Sequence, residues 1–100
     1  MIYMVDIDGT IFETVNKNYP ESKPIMNRIN YFNKLYDKGH IIKYWTARGS
    51  GSGIDWYDLT LKQLQDAGAK FHEFNVGKPT YDIWIDDKAM NADAYFIDRT

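Results

Sequence analysis

The stretch that decides the fold is Ile2-Tyr3-Met4-Val5-Asp6-Ile7-Asp8-Gly9-Thr10, an apolar run that breaks into two aspartates and a glycine. From Ile2 to Ile7 the run is nearly unbroken, as expected of a strand buried on both faces of a parallel sheet. Ile41-Ile42-Lys43-Tyr44-Trp45 and Ile83-Trp84-Ile85 read as strands in the same way. Between the first two, Ile25, Ile29, Phe32 and Tyr36 recur at helical spacing, with Pro24 before the first turn and Gly39 after the last. A second helix is expected after Arg48-Gly49-Ser50-Gly51-Ser52-Gly53, opening near Asp55, carrying Tyr57, Leu61 and Leu64 on one stripe and closing at Gly68. A short strand near Phe71–Phe74 and a last one over Ala94–Ile97 complete the expectation. Residues 9–23 follow no helical period and are interrupted by Gly9, Asn16, Asn18 and Pro20, so they read as a turn with a small hairpin or flap. The fold class expected is α/β, a mainly parallel sheet with right-handed crossovers in one domain spanning residues 1–100.

Composition narrows the function. The 100 residues are 44% apolar, 26% charged and 16% aromatic, the profile of one globular domain whose core draws on its eight Tyr, five Phe and three Trp. Twelve Lys and Arg against fourteen Asp and Glu give a net charge of −2, which offers nothing to neutralise a phosphate backbone and makes nucleic acid an unexpected partner. The absence of cysteine excludes disulfides, thiolate metal sites and a cysteine nucleophile. No apolar stretch approaches a membrane span, and Met1–Val5 lacks the basic segment of a secretion signal, so a cytoplasmic protein is expected.

Polar groups at strand ends carry the chemistry. Asp6 and Asp8 end the first run, Thr46 ends the second, Lys78 precedes the run at Ile83, and Asp86-Asp87 end it. In open α/β sheets ligands bind outside the carboxyl ends of strands. Two carboxylates two residues apart on a strand share a face and repel unless the chain turns or a cation sits between them. With Asp86 and Asp87, four carboxylates converge if the first and fourth strands are neighbours, and oxygen ligands alone favour Mg²⁺. Lys78 and Thr46 add a cation and a hydroxyl donor to the same rim, the equipment for holding a phosphoryl group.

Asp6-Ile7-Asp8-Gly9-Thr10, Thr46-Ala47-Arg48-Gly49, Gly77-Lys78-Pro79 and Ile85-Asp86-Asp87-Lys88 resemble, in order, the four motifs of the haloacid dehalogenase superfamily, over most of the chain. The resemblance implies an α/β fold with a three-layer Rossmann-like, mainly parallel sheet, a short flap and the motifs at strand ends. It implies that Asp6 is the nucleophile that forms an aspartyl-phosphate, and that Asp8 is the general acid and then the base. It further implies that Thr46 and the Ala47 amide bind phosphoryl oxygens and that Lys78 neutralises charge. Asp6, the Asp8 carbonyl and Asp86 would ligate Mg²⁺, with Asp87 completing the site or ordering its water. An acid at Asp8 goes with phosphatases and phosphomutases in that superfamily, whereas its dehalogenases and transport ATPases lack it, so the resemblance points to phosphoester hydrolysis. Its members usually carry a cap domain, for which the short flap and the 31 residues between Thr46 and Lys78 leave no room. A capless member is therefore expected, suited to a large substrate or to an oligomer whose neighbouring subunit acts as lid. The Thr-Ala-Arg-Gly and Ile-Asp-Asp-Lys-Ala stretches also look like those of small phosphatases found near sugar and capsule biosynthesis genes, which points to a sugar phosphate or similar small metabolite as substrate.

Arg48 reads equally as a grip on a second anionic group of the substrate or as a solvated side chain. His40 and His72 read as surface histidines, and Trp45, Trp56 and Trp84 as core and rim packing in preference to a base-stacking platform. Competing functions are a receiver-type phospho-switch, which shares the acidic cluster, Thr and Lys but orders them differently, a polynucleotide-end phosphatase, and a metal-dependent binding module without turnover.

Overall fold

The computed structural model describes residues 1–99. Strand β1 (Ile2–Asp6) leads through a two-strand flap, β2 (Phe12–Glu13) and β3 (Lys23–Pro24), into helix α1 (Met26–Asp37). Strand β4 (Ile41–Trp45), helix α2 (Tyr57–Asp66), strand β5 (Glu73–Asn75) and a short helix α3 (Ala92–Phe96) follow. The main sheet has the order β1-β4-β5 and is parallel throughout, with Asp6 level with Trp45 and Trp45 level with Asn75. The expected flap is present, with β2 antiparallel to β3 and a single 3-10 turn at Tyr19–Glu21 between them.

Helix α1 forms where the apolar period predicts, burying Ile29 and Phe32, and stops where Gly39 takes a φ of +94°. There the Gly39 and His40 amides donate to the Tyr36 and Leu35 carbonyls. Asp55 opens α2 by accepting from the Tyr57 amide at 2.9 Å, and Leu64 is buried on its inner stripe. Phe32 of α1 meets Tyr44 edge-on at 6.4 Å, and Tyr57 of α2 stacks on Phe74 at 5.1 Å. Since Tyr44 and Phe74 are register partners, both helices cover the same face of the sheet.

Three expectations are corrected here. The sheet is not the middle of three layers: Tyr3, Val5, Ile42, Tyr44 and Phe74 face the helices, whereas Ile2, Met4, Lys43 and Glu73 lie on the open face, where Lys43 and Glu73 form an ion pair at 3.0 Å. An unbroken apolar run thus alternates in burial, because strand side chains alternate whatever their polarity. Ile83–Ile85 forms no strand but an exposed loop, with Ile85 93% exposed, so β1 keeps a free edge. Residues 94–97 are not a strand: Asn91 accepts from the Asp93 and Ala94 amides and caps α3, whose Phe96 packs on Phe32 at 5.6 Å.

The core is Val5, Ile7, Ile11, Phe12, Ile29, Phe32, Ile42, Tyr44, Leu64, Phe74 and Phe96, and none of the three tryptophans is in it. Among the described residues no helix is long and apolar enough to cross a membrane.

Tyr44, on the central strand, is fully buried and its hydroxyl has no hydrogen-bond partner among the described residues. Burial therefore drives its ionisation well above the ordinary tyrosine range. Losing an unsatisfied buried hydroxyl is favourable, so Tyr44→Phe should stabilise the fold by about 1 kcal/mol, read as a higher urea midpoint at pH 7. Above pH ~10 the unfolded chain releases the Tyr44 proton while the folded chain keeps it, so stability falls as pH rises there. The variant should lose that part of the alkaline slope.

Candidate functional site

The carboxyl ends of β1 and β4 lie side by side, and short backbone bonds bring the remaining groups to them. Thr46, the residue after β4, donates its amide to the Asn75 carbonyl at 3.1 Å and accepts at its own carbonyl from the Lys78 amide at 3.1 Å. Lys78 is thereby anchored beside the sheet without a strand of its own, and its ammonium reaches the Asp6 carboxylate at 3.3 Å. Ser50 ties the glycine loop to the same place, its hydroxyl donating to the Lys78 carbonyl at 2.7 Å. Gly49 is required in that loop: its φ is +84°, and a Cβ there would stand 2.1 Å from the Ile54 carbonyl oxygen.

Asp6 is half-buried. Burial pushes its carboxyl above the usual aspartate range, opposed by the Lys78 ammonium. The Lys78 ammonium is held above the usual lysine range: burial acts to lower it, but Tyr81 and the Asp6 carboxylate outweigh that. Both groups line one cavity with Thr10, Trp45, Trp84 and Asp86.

Asp8 goes elsewhere. Gly9 adopts a φ of +82°, and the amides of Thr10, Ile11 and Phe12 all donate to the Ile7 carbonyl. Past this tight turn the Asp8 carboxylate faces Arg48, which donates Nε to one oxygen at 2.9 Å and Nη2 to the other at 2.7 Å. Thr14 of the flap donates to the same carboxylate. The Arg48 side chain is fully buried, bonded also to Thr60 at 3.1 Å, Gln63 at 2.6 Å and Ser22 at 3.1 Å, with Tyr19 stacked 4.8 Å from its guanidinium. The solvated reading of Arg48 is thus overturned, since its side chain is buried and all its donors are engaged by Asp8, Thr60, Gln63 and Ser22. The sequence signal for its partners was Thr60 and Gln63, three apart on one helix face, which gains meaning only once the glycine loop folds over α2.

Thr46 is buried, and its hydroxyl accepts from the Arg48 amide at 3.0 Å, so it stabilises the turn after β4. Ala47 accepts at its carbonyl from the Ser50 amide at 2.9 Å. Asp86 and Asp87 lie in the exposed loop. Asp86 accepts from the Lys88 amide at 2.8 Å and the Trp84 indole at 3.2 Å, bonds that hold its carboxyl below the usual range. Because residues 83–85 do not pair with β1, the convergence of four carboxylates is not realised, and among the described residues no three Asp, Glu or His side chains gather around one point. Asp6 and Asp86 do face the same cavity, whereas the Asp8 carboxylate is committed to Arg48, which leaves its backbone carbonyl uninvolved, and Asp87 does not line the cavity. Mg²⁺ keeps several waters and is commonly held by one or two carboxylates together with substrate phosphate, and Asp6 and Asp86 are the carboxylates of this cavity that would hold it.

No protein-family model and no curated protein matches the chain. Among solved structures, it is similar to the crystal structure of a structural-genomics target from Vibrio cholerae, with a TM-score of 0.82 and 24% identity over 94% of this chain and 85% of the other. That likeness supports the α/β fold.

Removing one partner of a buried ion pair leaves the other charge uncompensated. Asp8→Ala should therefore cost about 3 kcal/mol in urea unfolding, whereas Glu73→Gln, which breaks the exposed pair with Lys43, should cost less than about 1 kcal/mol. Equal losses would show that the Arg48 network does not hold the flap as the contacts imply.

Proposed function

We propose that the chain is a Mg²⁺-dependent phosphatase of the haloacid dehalogenase superfamily that hydrolyses a phosphomonoester of a small metabolite, of which a sugar phosphate is the example drawn from the sequence. The observation that carries this reading is Asp6, a half-buried carboxylate at the end of a parallel strand, paired with Lys78 at 3.3 Å and open to a cavity. The order of the Asp6, Thr46, Lys78 and Asp86 motifs supports it.

An Asp6 oxygen attacks phosphorus and the bond to the leaving oxygen breaks, giving an aspartyl-phosphate and the free alcohol. Asp8, protonated once its carboxyl leaves Arg48, gives its proton to that oxygen and is left as the carboxylate. Water then attacks phosphorus of the aspartyl-phosphate while the Asp8 carboxylate takes its proton, releasing inorganic phosphate and restoring Asp6 and the Asp8 acid. Lys78 holds Asp6 and offsets charge on the transferred group. Asp6 and Asp86 would hold Mg²⁺, which when bound supplies charge neutralisation to the phosphoryl oxygens.

The Asp8–Arg48 pair favours a second reading, because an acid held by a buried guanidinium is not free to activate water. The site would then accept a phosphoryl group on Asp6 and keep it, as a phospho-switch does.

One assay separates the two. Phosphate release from aryl and sugar phosphates should require Mg²⁺, stop with EDTA and fall at least about a thousand-fold in Asp6→Asn. A stable phosphoryl group on Asp6 after incubation with a small phosphoryl donor, without turnover, would establish the switch. Turnover undiminished in Asp6→Asn would defeat both.

A further inference from the structure

A cavity of about 700 Å³ runs along the free edge and open face of β1 and ends at Asp6. Its charged side chains are Asp6, Lys78, Asp86 and Lys88, with the Thr10 hydroxyl beside them. The rest of the wall is mostly apolar or aromatic, and no Asn, Gln, Ser, His, Arg or Glu side chain lines it among the described residues. Ile2, Met4 and Met90 present apolar surface to it although each is more than half exposed.

Two aromatic rings stand next to the reacting carboxylate. Tyr81 and Trp84 lie 5.1 Å apart at 62°, and the Lys78 ammonium that pairs with Asp6 sits 5.1 Å from the first ring and 6.0 Å from the second. Trp84, read from the sequence as core or rim packing, meets Trp45 edge-on at 6.2 Å, yet it is 43% exposed and Tyr81 47%, and neither belongs to the core. The Trp84 indole N–H is spent on Asp86, which fixes its ring without covering its surface. Exposed aromatic area of this kind stabilises whatever planar group covers it, and methionine side chains adapt to the outline of a ring. A polyhydroxylated group entering the same space would give up its water for few hydrogen-bond partners.

Resting on the phosphatase reading, we propose that the site takes phosphomonoesters whose leaving group carries an aromatic ring, in preference to sugar phosphates. The phosphoryl group meets Asp6 and Lys78 while the ring lies against Tyr81 and Trp84. Specificity then resides in the 81–84 loop and the open face of β1.

The test has a kinetic arm and a binding arm, both on the full chain with Mg²⁺. In the kinetic arm, 1-naphthyl phosphate is compared with glycerol 3-phosphate. Since an aryl leaving group is intrinsically better, the readout is the effect of substitution. Trp84→Ala should raise KM for the naphthyl ester about ten-fold, lowering the aryl-over-glycerol preference, and Trp84→Phe should recover most of it. Equal changes for both esters, or none, would overturn the proposal. In the binding arm, phenylphosphonate and methylphosphonate, which resist hydrolysis, are titrated calorimetrically. The phenyl compound should bind at least about ten-fold more tightly to the wild type, an advantage lost in Trp84→Ala and reduced in Tyr81→Ala. Selective phenylphosphonate binding without turnover of any ester would leave the ring site standing and remove the phosphatase reading. Turnover with phenyl and methyl compounds binding alike, or neither binding, would do the reverse for the ring site.

Discussion

The pairing of Asp8 with the buried guanidinium of Arg48 is the contact on which the arrangement around the strand ends depends. A cation without solvent access is tolerable only if its donors are satisfied, and here both oxygens of one carboxylate, two hydroxyls and a side-chain amide oxygen supply the acceptors. Those acceptors come from three places: the turn after β1, the flap and α2. The first two are short and irregular and would hold their positions poorly by their own hydrogen bonds, whereas α2 is a ten-residue helix that anchors them. Gln63 completes the link by donating to the Tyr19 carbonyl at 2.7 Å, so the flap is held at its 3-10 turn as well as at Ser22. A residue expected at the rim of a ligand site acts as the internal tie of the domain.

The same pair settles a conflict visible in the sequence. Asp6 and Asp8, two apart at a strand end, would repel if they shared a face. The chain separates them by turning at Gly9 and gives each its own cation, Lys78 for Asp6 and Arg48 for Asp8. The two pairs differ in setting. Asp6 and Lys78 open on a cavity, where a ligand can compete for either, whereas Arg48 is sealed behind Tyr19 and Phe12. Burial thus separates a pair open to a cavity from a pair that holds the frame.

Much of this was legible in the residues. The apolar runs of β1 and β4, the 3.6-residue period of α1 and α2 and the hairpin signals of the flap each depend on neighbours within a few positions, and each element formed where its pattern lay. What could not be read locally depends on partners far along the chain. Ile83–Ile85 has a strand's composition but no strand pairs with it, and three apolar residues do not choose a conformation alone. Ala94–Ile97 looks equally strand-like, yet Asn91 supplies a cap and Tyr31 and Phe32 supply a surface for Tyr95 and Phe96, so the helix prevails. The Tyr31 and Tyr95 hydroxyls meet at 2.7 Å across that contact. For Arg48 the glycines around it suggested exposure, but loop flexibility says nothing about what a long side chain reaches.

The one-sided sheet has a consequence for where chemistry can occur. Helices α1 and α2 cover one face, and the cavity at Asp6 runs along the edge of β1, lined from the open face by Ile2 and Met4 and from the covered side by Tyr3, Val5 and Phe32. An unpaired strand edge is ordinarily a liability for aggregation, which proteins limit by keeping it short, charged or covered. Here β1 is five residues long, ends in a charged carboxylate and is overhung by the 81–90 loop. The loop therefore stands over the edge and over the entrance to Asp6 at once, and with no strand or helix of its own its conformation follows what lies beneath it. On the proposed reading, residues that shield an edge and residues that receive a substrate face the same requirement, exposed apolar area next to a fixed charge. Tyr81 and Trp84, set beside Lys78, supply that area.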